Sequence, residues 1–187
     1  MERRRPLGGL KLKLPTEEER EEVMKSELAP DPTPDRNKIS EICPGVWVSG
    51  KQPASKLEIL KQHNIRVVIT MYEENEMQKY ESEGIQYYAF PIRDNGQEGS
   101  IAEKLRLVPQ LIRDKLAQQG PVLVHCKEGI SRAPTMIVAY MMLSSKKSLE
   151  ECYKSLKSTY PKADISIPFF SQLEELDSLI RKENPPF

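Results

Sequence analysis

Short apolar runs alternate with longer amphipathic stretches along the chain from about Ser40 onwards. The runs at 46–48, 66–71, 86–92 and 122–125 predict strands, and their consecutive apolar residues are typical of strands buried on both faces. Because such strands alternate with helical patterns, the sequence predicts an α/β fold with a central, mostly parallel twisted sheet flanked by helices.

The amphipathic stretches predict helices at 54–63, 74–83, 133–143, 148–159 and 169–182. The segment 133–143 is apolar almost all round, which indicates a helix buried in the core. One more helix is predicted to begin near Ser100, because Ser100 and Glu103 match the spacing of a capping box.

Composition divides the chain into two parts. Hydrophobic residues make up about 24% of residues 1–37 and about 41% of residues 38–187. Charge is uneven within the first part, since residues 1–14 sum to +4 and residues 15–35 sum to −6. We therefore predict a flexible N-terminal arm over 1–37 and one folded domain over 38–187.

Bulk properties exclude several classes of protein. The formal net charge is zero, which argues against a nucleic-acid-binding protein, and the longest apolar run, 136–143, is too short to span a membrane. The three cysteines, Cys43, Cys126 and Cys152, have neither zinc-site spacing nor a disulfide framework, and no secretory signal precedes them. We expect a protein without metal or other cofactor, in the cytoplasm, the nucleus or both.

The eight residues 125–132, HCKEGISR, combine groups suited to phosphate chemistry. They lie between a predicted buried strand and a predicted buried helix, so main-chain N–H groups and the helix N-terminus point at one place and form an anion-binding cradle. The predicted phosphate-binding residues are Lys127, Glu128, Gly129, Ile130, Ser131 and Arg132.

Within this loop, three residues are candidates for catalysis. Cys126 is the candidate nucleophile, because the field of the cradle favours the thiolate form. Arg132 can place two N–H donors on phosphate oxygens, and Ser131 offers a hydroxyl that can stabilise the sulfur when it leaves again. Gly129 lets the loop adopt backbone angles that other residues resist.

The Cys-x5-Arg spacing, with His125 before the cysteine and Ser131 before the arginine, resembles the signature of cysteine-dependent protein phosphatases. The string HCKEGISRAPTM is most similar to small dual-specificity phosphatases of the vaccinia-H1-related type, and the likeness covers about 38–183. The resemblance implies the cysteine-phosphatase fold. It also implies metal-independent hydrolysis of phosphotyrosine and phosphoserine or phosphothreonine on proteins, through a cysteinyl-phosphate intermediate.

The resemblance also implies a general acid, and Asp94 occupies the matching position. Asp94 follows the strand predicted at 86–92, so it leaves the same edge of the sheet as the Cys126 loop. It would protonate the leaving oxygen and then act as the base for water. Glu98 is the alternative carboxylate.

Two departures from the family pattern bear on the site. Ala133 stands where many relatives have a second serine, and residues 166–169 replace the family's Asn-x-Gly-Phe ahead of the last helix. Lys127 matches the more basic loop of lipid-directed relatives, whereas Glu128 and Ile130 do not. Phosphorylated proteins are therefore the expected substrates.

The arm resembles a MAP-kinase docking motif. The motif residues are Arg3, Arg4, Arg5, Leu10, Leu12 and Leu14. In an extended chain the alternating leucines lie on one side, so they can fill a groove while the arginines meet an acidic patch. The alternative is a basic tail used for nuclear import or for contact with a membrane surface.

Two other classes of function remain open. The first is a kinase-binding or scaffold module whose phosphate pocket recognises phosphopeptides with little turnover. The second is another thiol enzyme with the same loop, such as a sulfur transferase or an arsenate reductase, although His125 and Asp94 count against it.

Overall fold

A computed structural model describes residues 38–72, 79–93 and 99–183. The arm predicted over 1–37 lies outside these residues. Half of the helix predicted at 74–83 also lies outside them, and its described half contains a 3₁₀ turn at Glu81–Glu83.

Five strands form one sheet in the order β1-β2-β5-β3-β4. The strands are β1 (Ser40–Cys43), β2 (Val46–Ser49), β3 (Val67–Thr70), β4 (Gln86–Ala89) and β5 (Val122–His125). β1 pairs antiparallel with β2, whereas β2 with β5, β5 with β3 and β3 with β4 are parallel pairs. The predicted α/β fold with a mostly parallel sheet is confirmed, and β1 is an edge strand that the sequence pattern did not predict.

Six α-helices lie within the described residues. They are α1 (Lys51–Ala54), α2 (Leu57–Gln62), α3 (Lys104–Gln118), α4 (Arg132–Ser145), α5 (Leu149–Thr159) and α6 (Ile167–Glu183). The helix predicted at 54–63 corresponds to the shorter α2, and α1, which ends where the predicted helix begins, was not predicted. The other helices agree with their predicted positions to within a few residues, which is the usual uncertainty of helix ends.

The start of α3 differs from the prediction. The capping box expected from Ser100 and Glu103 is absent, because α3 begins at Lys104 and its N-cap residue makes no side-chain hydrogen bond. The Ile101 N–H instead donates to Gln172 Oε1 of α6, at 2.6 Å. Ser100 Oγ accepts a hydrogen bond from the Ala102 N–H at 3.3 Å, so the serine stabilises a turn just before α3 and does not cap the helix.

The sheet has an apolar core on each face. Along β3, Val67 and Ile69 belong to the larger core and Val68 to the smaller one, as the alternation of side chains in a strand requires. Helices α3 to α6 contribute to the larger core and α1 and α2 to the smaller. Helix α4 packs against α3, α5, α6 and β5, so its N-terminus is held firmly behind the central strand.

Candidate active site

The end of the central strand β5 carries the loop that the sequence singled out. In the parallel register, Ser49 of β2 and Thr70 of β3 both pair with His125, so the three strands end at one edge. The loop leaves that edge at Cys126, and α4 begins at Arg132. This strand–loop–helix arrangement is the one predicted, and it brings the loop amides to the N-terminus of a helix.

Cys126 is almost completely buried, with 1% of its surface exposed. Its Sγ accepts a hydrogen bond from the Gly129 N–H at 3.2 Å. Gly129 adopts φ +76°, and a Cβ at this position would lie 2.6 Å from the carbonyl carbon of Ser49. Glycine is needed here both for the left-handed backbone and for the close approach of the loop to β2.

The loop carries several main-chain N–H donors. Among the described residues, no acceptor is found for the main-chain N–H groups of Lys127, Glu128, Ile130 and Ser131. Several main-chain N–H groups with no acceptor among the described residues, next to a cysteine sulfur and the N-terminus of a helix, are typical of a site that binds an anion.

Arg132 is the first residue of α4 and is 6% exposed. Its Nη1 donates to the Ile92 carbonyl at 3.0 Å, and its guanidinium carbon lies 5.3 Å from the centre of the Tyr72 ring. These two contacts orient the guanidinium plane before any substrate binds. A fixed guanidinium can act as a bidentate donor to phosphate at little further loss of conformational entropy.

Ser131 connects the loop to the segment before α6. Its Oγ accepts a hydrogen bond from the Ser166 N–H at 3.2 Å, and its carbonyl accepts from Thr135 Oγ1 at 2.9 Å. Because Oγ acts as an acceptor there, its own proton remains available to sulfur or to phosphate. Ser166, which replaces the family's asparagine, thus contributes through its main chain.

Two buried side chains flank the nucleophile. Burial lowers the pKa of His125 to about 4, against the weaker opposing effect of the Cys126 carbonyl, which lies 3.4 Å from Nδ1. His125 is therefore neutral at physiological pH. Burial, and then the charge of Cys126, raise the pKa of the Tyr160 phenol, whose hydroxyl has no hydrogen-bond partner among the described residues.

Several predicted residues lie outside the described part of the chain. These are Asp94, Glu98 and the six residues of the docking motif, Arg3, Arg4, Arg5, Leu10, Leu12 and Leu14. Within the described ranges, no group of three or more potential metal ligands converges, and none of the helices could cross a membrane.

The structure adds residues around the loop that the sequence did not identify. The Lys51 N–H donates to the Lys127 carbonyl at 3.0 Å, and the Asp164 N–H donates to the Ile130 carbonyl at 2.8 Å. Both contacts join the loop to segments far away in sequence. No local pattern could reveal them, although the run PGVWVSG at 44–50 does mark the end of β2 on which the loop lies.

Comparison with known proteins agrees with this geometry. The family model for the dual specificity phosphatase catalytic domain matches residues 46–178. Dual specificity protein phosphatase Mpk3 of Drosophila melanogaster is 30% identical over 142 residues, which cover 75% of this chain and 34% of that protein. Protein-tyrosine-phosphatase IBR5 of Arabidopsis thaliana is 30% identical over 139 residues, covering 74% of this chain and 51% of that protein. The chain thus spans between a third and about half of these relatives.

Solved structures show the same fold. DUSP15 superposes with a TM-score of 0.70 at 25% identity, covering 81% of this chain and 97% of that one. The human tyrosine phosphatase-like serine/threonine/tyrosine-interacting protein gives a TM-score of 0.69 at 26% identity, with 75% and 96% covered. Human DUSP28, at 20% identity and a TM-score of 0.69, covers 76% and 95% and supports the fold alone.

Proposed function

Because the chain belongs to the family of dual specificity phosphatase catalytic domains, we propose that it hydrolyses phosphotyrosine and phosphoserine or phosphothreonine on protein substrates. The observation that carries this proposal is the hydrogen bond from the Gly129 N–H to Cys126 Sγ, at 3.2 Å, in a loop whose amides at 127, 128, 130 and 131 have no acceptor among the described residues. Such a cradle stabilises a phosphoryl group and the charge that develops on its oxygens.

The proposed reaction has two steps. The Cys126 thiolate attacks phosphorus in line, so that an S–P bond forms while the bond to the leaving oxygen breaks. Asp94 donates a proton to that oxygen, and Arg132 and the loop amides hold the remaining phosphate oxygens. Water then attacks the cysteinyl phosphate with Asp94 as its base, which releases inorganic phosphate and regenerates the thiolate. The Ser131 hydroxyl donates a hydrogen bond to the departing sulfur and keeps its proton.

The first test is hydrolysis of para-nitrophenyl phosphate and its inhibition by vanadate. Cys126→Ser is expected to abolish turnover, and Asp94→Asn to lower kcat by about 10²- to 10⁴-fold with substrate binding preserved. Cys43→Ser is the matched control, because burial raises the pKa of the Cys43 thiol to about 11 and keeps it protonated and inert. Turnover by Cys126→Ser would refute the mechanism, and phosphopeptide binding without turnover by the natural chain would favour a recognition module instead.

The basic arm supports a finer proposal, that MAP kinases are among the substrates. Its three arginines and alternating leucines have the charge and spacing of a docking segment. Deletion of residues 1–14 is expected to weaken binding to a MAP kinase by about tenfold, since several apolar and charge-assisted contacts are lost together. Hydrolysis of para-nitrophenyl phosphate is expected to remain at its full rate. Unchanged kinase affinity after the deletion would rule out docking through the arm.

A further inference from the structure

We propose that Gln172 of α6 is a positioning residue for the proton transfer to the leaving group. Its side-chain amide makes hydrogen bonds to the main chain of Gly99 and Ile101, which follow in sequence the segment that carries Asp94. The inference rests on the proposed function, in which the Asp94 carboxyl gives its proton to the oxygen that leaves phosphorus.

Both ends of the Gln172 amide take part in these contacts. Oε1 accepts a hydrogen bond from the Ile101 N–H at 2.6 Å, and Nε2 donates to the Gly99 carbonyl at 3.1 Å. Nε2 also donates to the Pro168 carbonyl at 3.3 Å, one turn earlier on α6, so the side chain is held against its own helix. Because a carboxamide supplies both an acceptor and donors, this one side chain fixes where residues 99–101 lie.

The first turn of α6 connects Gln172 to the catalytic loop. The Ser166 N–H donates to Ser131 Oγ at 3.2 Å, and the Ser166 carbonyl accepts from the Phe169 N–H at 3.0 Å. Phe169 is itself buried, so the start of the helix is anchored in the core. Residues 99–101 are therefore held at a fixed place relative to the catalytic loop.

The described chain on the other side of Asp94 is attached to the same part of the fold. The Ile92 carbonyl accepts from Arg132 Nη1 at 3.0 Å, and Ile92 is buried. Arg132 also binds phosphate in the proposed reaction, so its replacement would disturb two functions at once. Gln172 holds the opposite flank and has no part in phosphate binding, which allows its effect on proton transfer to be measured separately.

Proton transfer is sensitive to small displacements of the acid. A general acid has to lie within about 2.6–3.2 Å of the oxygen that it protonates, and catalytic geometry tolerates errors of only about 0.5 Å. Gly99 is five residues from Asp94 in sequence. Loss of the Gln172 contacts therefore widens the range of positions open to the Asp94 carboxyl, and fewer of those positions are productive.

The test compares two substrates that differ in their need for a proton. Para-nitrophenolate is a weakly basic leaving group, whereas phenolate is far more basic and leaves slowly unless it is protonated. The ratio of kcat/KM for para-nitrophenyl phosphate to kcat/KM for phenyl phosphate therefore reports how well the general acid works. We expect Gln172→Ala to raise this ratio by about fivefold or more above that of the natural chain, in the same direction as Asp94→Asn.

Two further variants separate positioning from packing and from stability. Gln172→Met keeps a long side chain without its hydrogen bonds, and it is expected to raise the ratio as Gln172→Ala does. Asp177→Ala is the matched control, because Asp177 Oδ1 on the same helix accepts from the Leu149 N–H at 3.2 Å, a similar contact at the start of α5. This control is expected to keep the natural ratio even if its melting temperature falls, since a loss of folded protein slows both reactions equally.

A double variant shows whether Gln172 acts through Asp94. Asp94→Asn combined with Gln172→Ala is expected to have the ratio of Asp94→Asn alone, because a carboxyl that has been removed cannot be misplaced. The proposal is overturned if Gln172→Ala keeps the natural ratio, if Gln172→Met restores it, or if the effects add in the double variant. Each of these outcomes leaves the Cys126 chemistry standing, whereas a natural chain without turnover would refute the proposed function and this inference with it.

Discussion

Replacing Gly129 with alanine tests how closely the catalytic loop must lie against β2. The added Cβ would lie 2.6 Å from the Ser49 carbonyl carbon and 2.7 Å from the Gly50 nitrogen. Cβ contacts essentially never fall below 3.0 Å, so the loop has to move by at least about 0.4 Å. The contacted atoms are main chain and cannot rotate away as a side chain could.

A second glycine separates this clash from the strain of the backbone. Gly84 has φ +78°, almost the same as the +76° of Gly129, but nothing lies within 4 Å of a Cβ placed there. For each alanine the left-handed conformation costs about 1 kcal/mol of unfolding free energy. We expect Gly84→Ala to lose about that much, and Gly129→Ala to lose a further 1–3 kcal/mol through overpacking.

The two variants should differ more in activity than in stability. The Gly129 N–H bonds to Cys126 Sγ at 3.2 Å, and catalytic geometry tolerates displacements of only about 0.5 Å. Gly129→Ala is therefore expected to lower kcat/KM for para-nitrophenyl phosphate about tenfold or more, and Gly84→Ala to leave it unchanged. Urea denaturation and steady-state kinetics measure both quantities. If the two variants matched in stability and in rate, the loop would not depend on its contact with β2.

Two further predictions concern buried polar groups near the nucleophile. Tyr160→Phe is expected to keep or raise the stability, by up to about 1–3 kcal/mol, because its hydroxyl is buried without a partner among the described residues; a lower melting temperature would contradict this. For His125, the folded pKa of about 4 lies below the unfolded value of 6.5, so the unfolded chain binds more protons and stability falls as pH drops from 6.5 towards 4. The expected loss between pH 7 and pH 4.5 is about 2 kcal/mol by urea denaturation, and an equal pH dependence in His125→Asn would show that another group is responsible.

The sequence predicted those helices and strands whose own residues show a clear pattern of apolar positions. Helix α4 was predictable because segment 133–143 is apolar nearly all round, and β5 because its four residues are consecutive and buried. The residues of the edge strand β1 are exposed or half-buried, and the strand pairs on one side. Its sequence therefore shows no clear alternation of apolar and polar residues. For α3 the local capping pattern was present in the sequence, but the helix begins at Lys104 and the Ile101 N–H bonds to Gln172 of α6, a long-range contact that no local pattern indicates.

In the candidate site, too, some features could be predicted from the sequence and others could not. Cys126, Gly129, Ser131 and Arg132 could be predicted together, because one continuous stretch of chain holds them and its chemistry is specific. The contacts that hold this stretch in the fold could not be predicted. The Ile92 carbonyl that holds Arg132, for example, lies 40 residues away in sequence, and nothing in a side-chain pattern indicates which carbonyl will be chosen.

Three backbone N–H groups donate hydrogen bonds that join the catalytic loop to neighbouring segments. This arrangement has a consequence for evolution. Lys51, Asp164 and Ser166 all contribute through main-chain N–H groups, which every residue except proline possesses. Mutation at these positions can therefore alter surface charge and shape while the cradle keeps its form. Substrate preference is free to drift at these positions independently of the chemistry, provided that proline never occupies them.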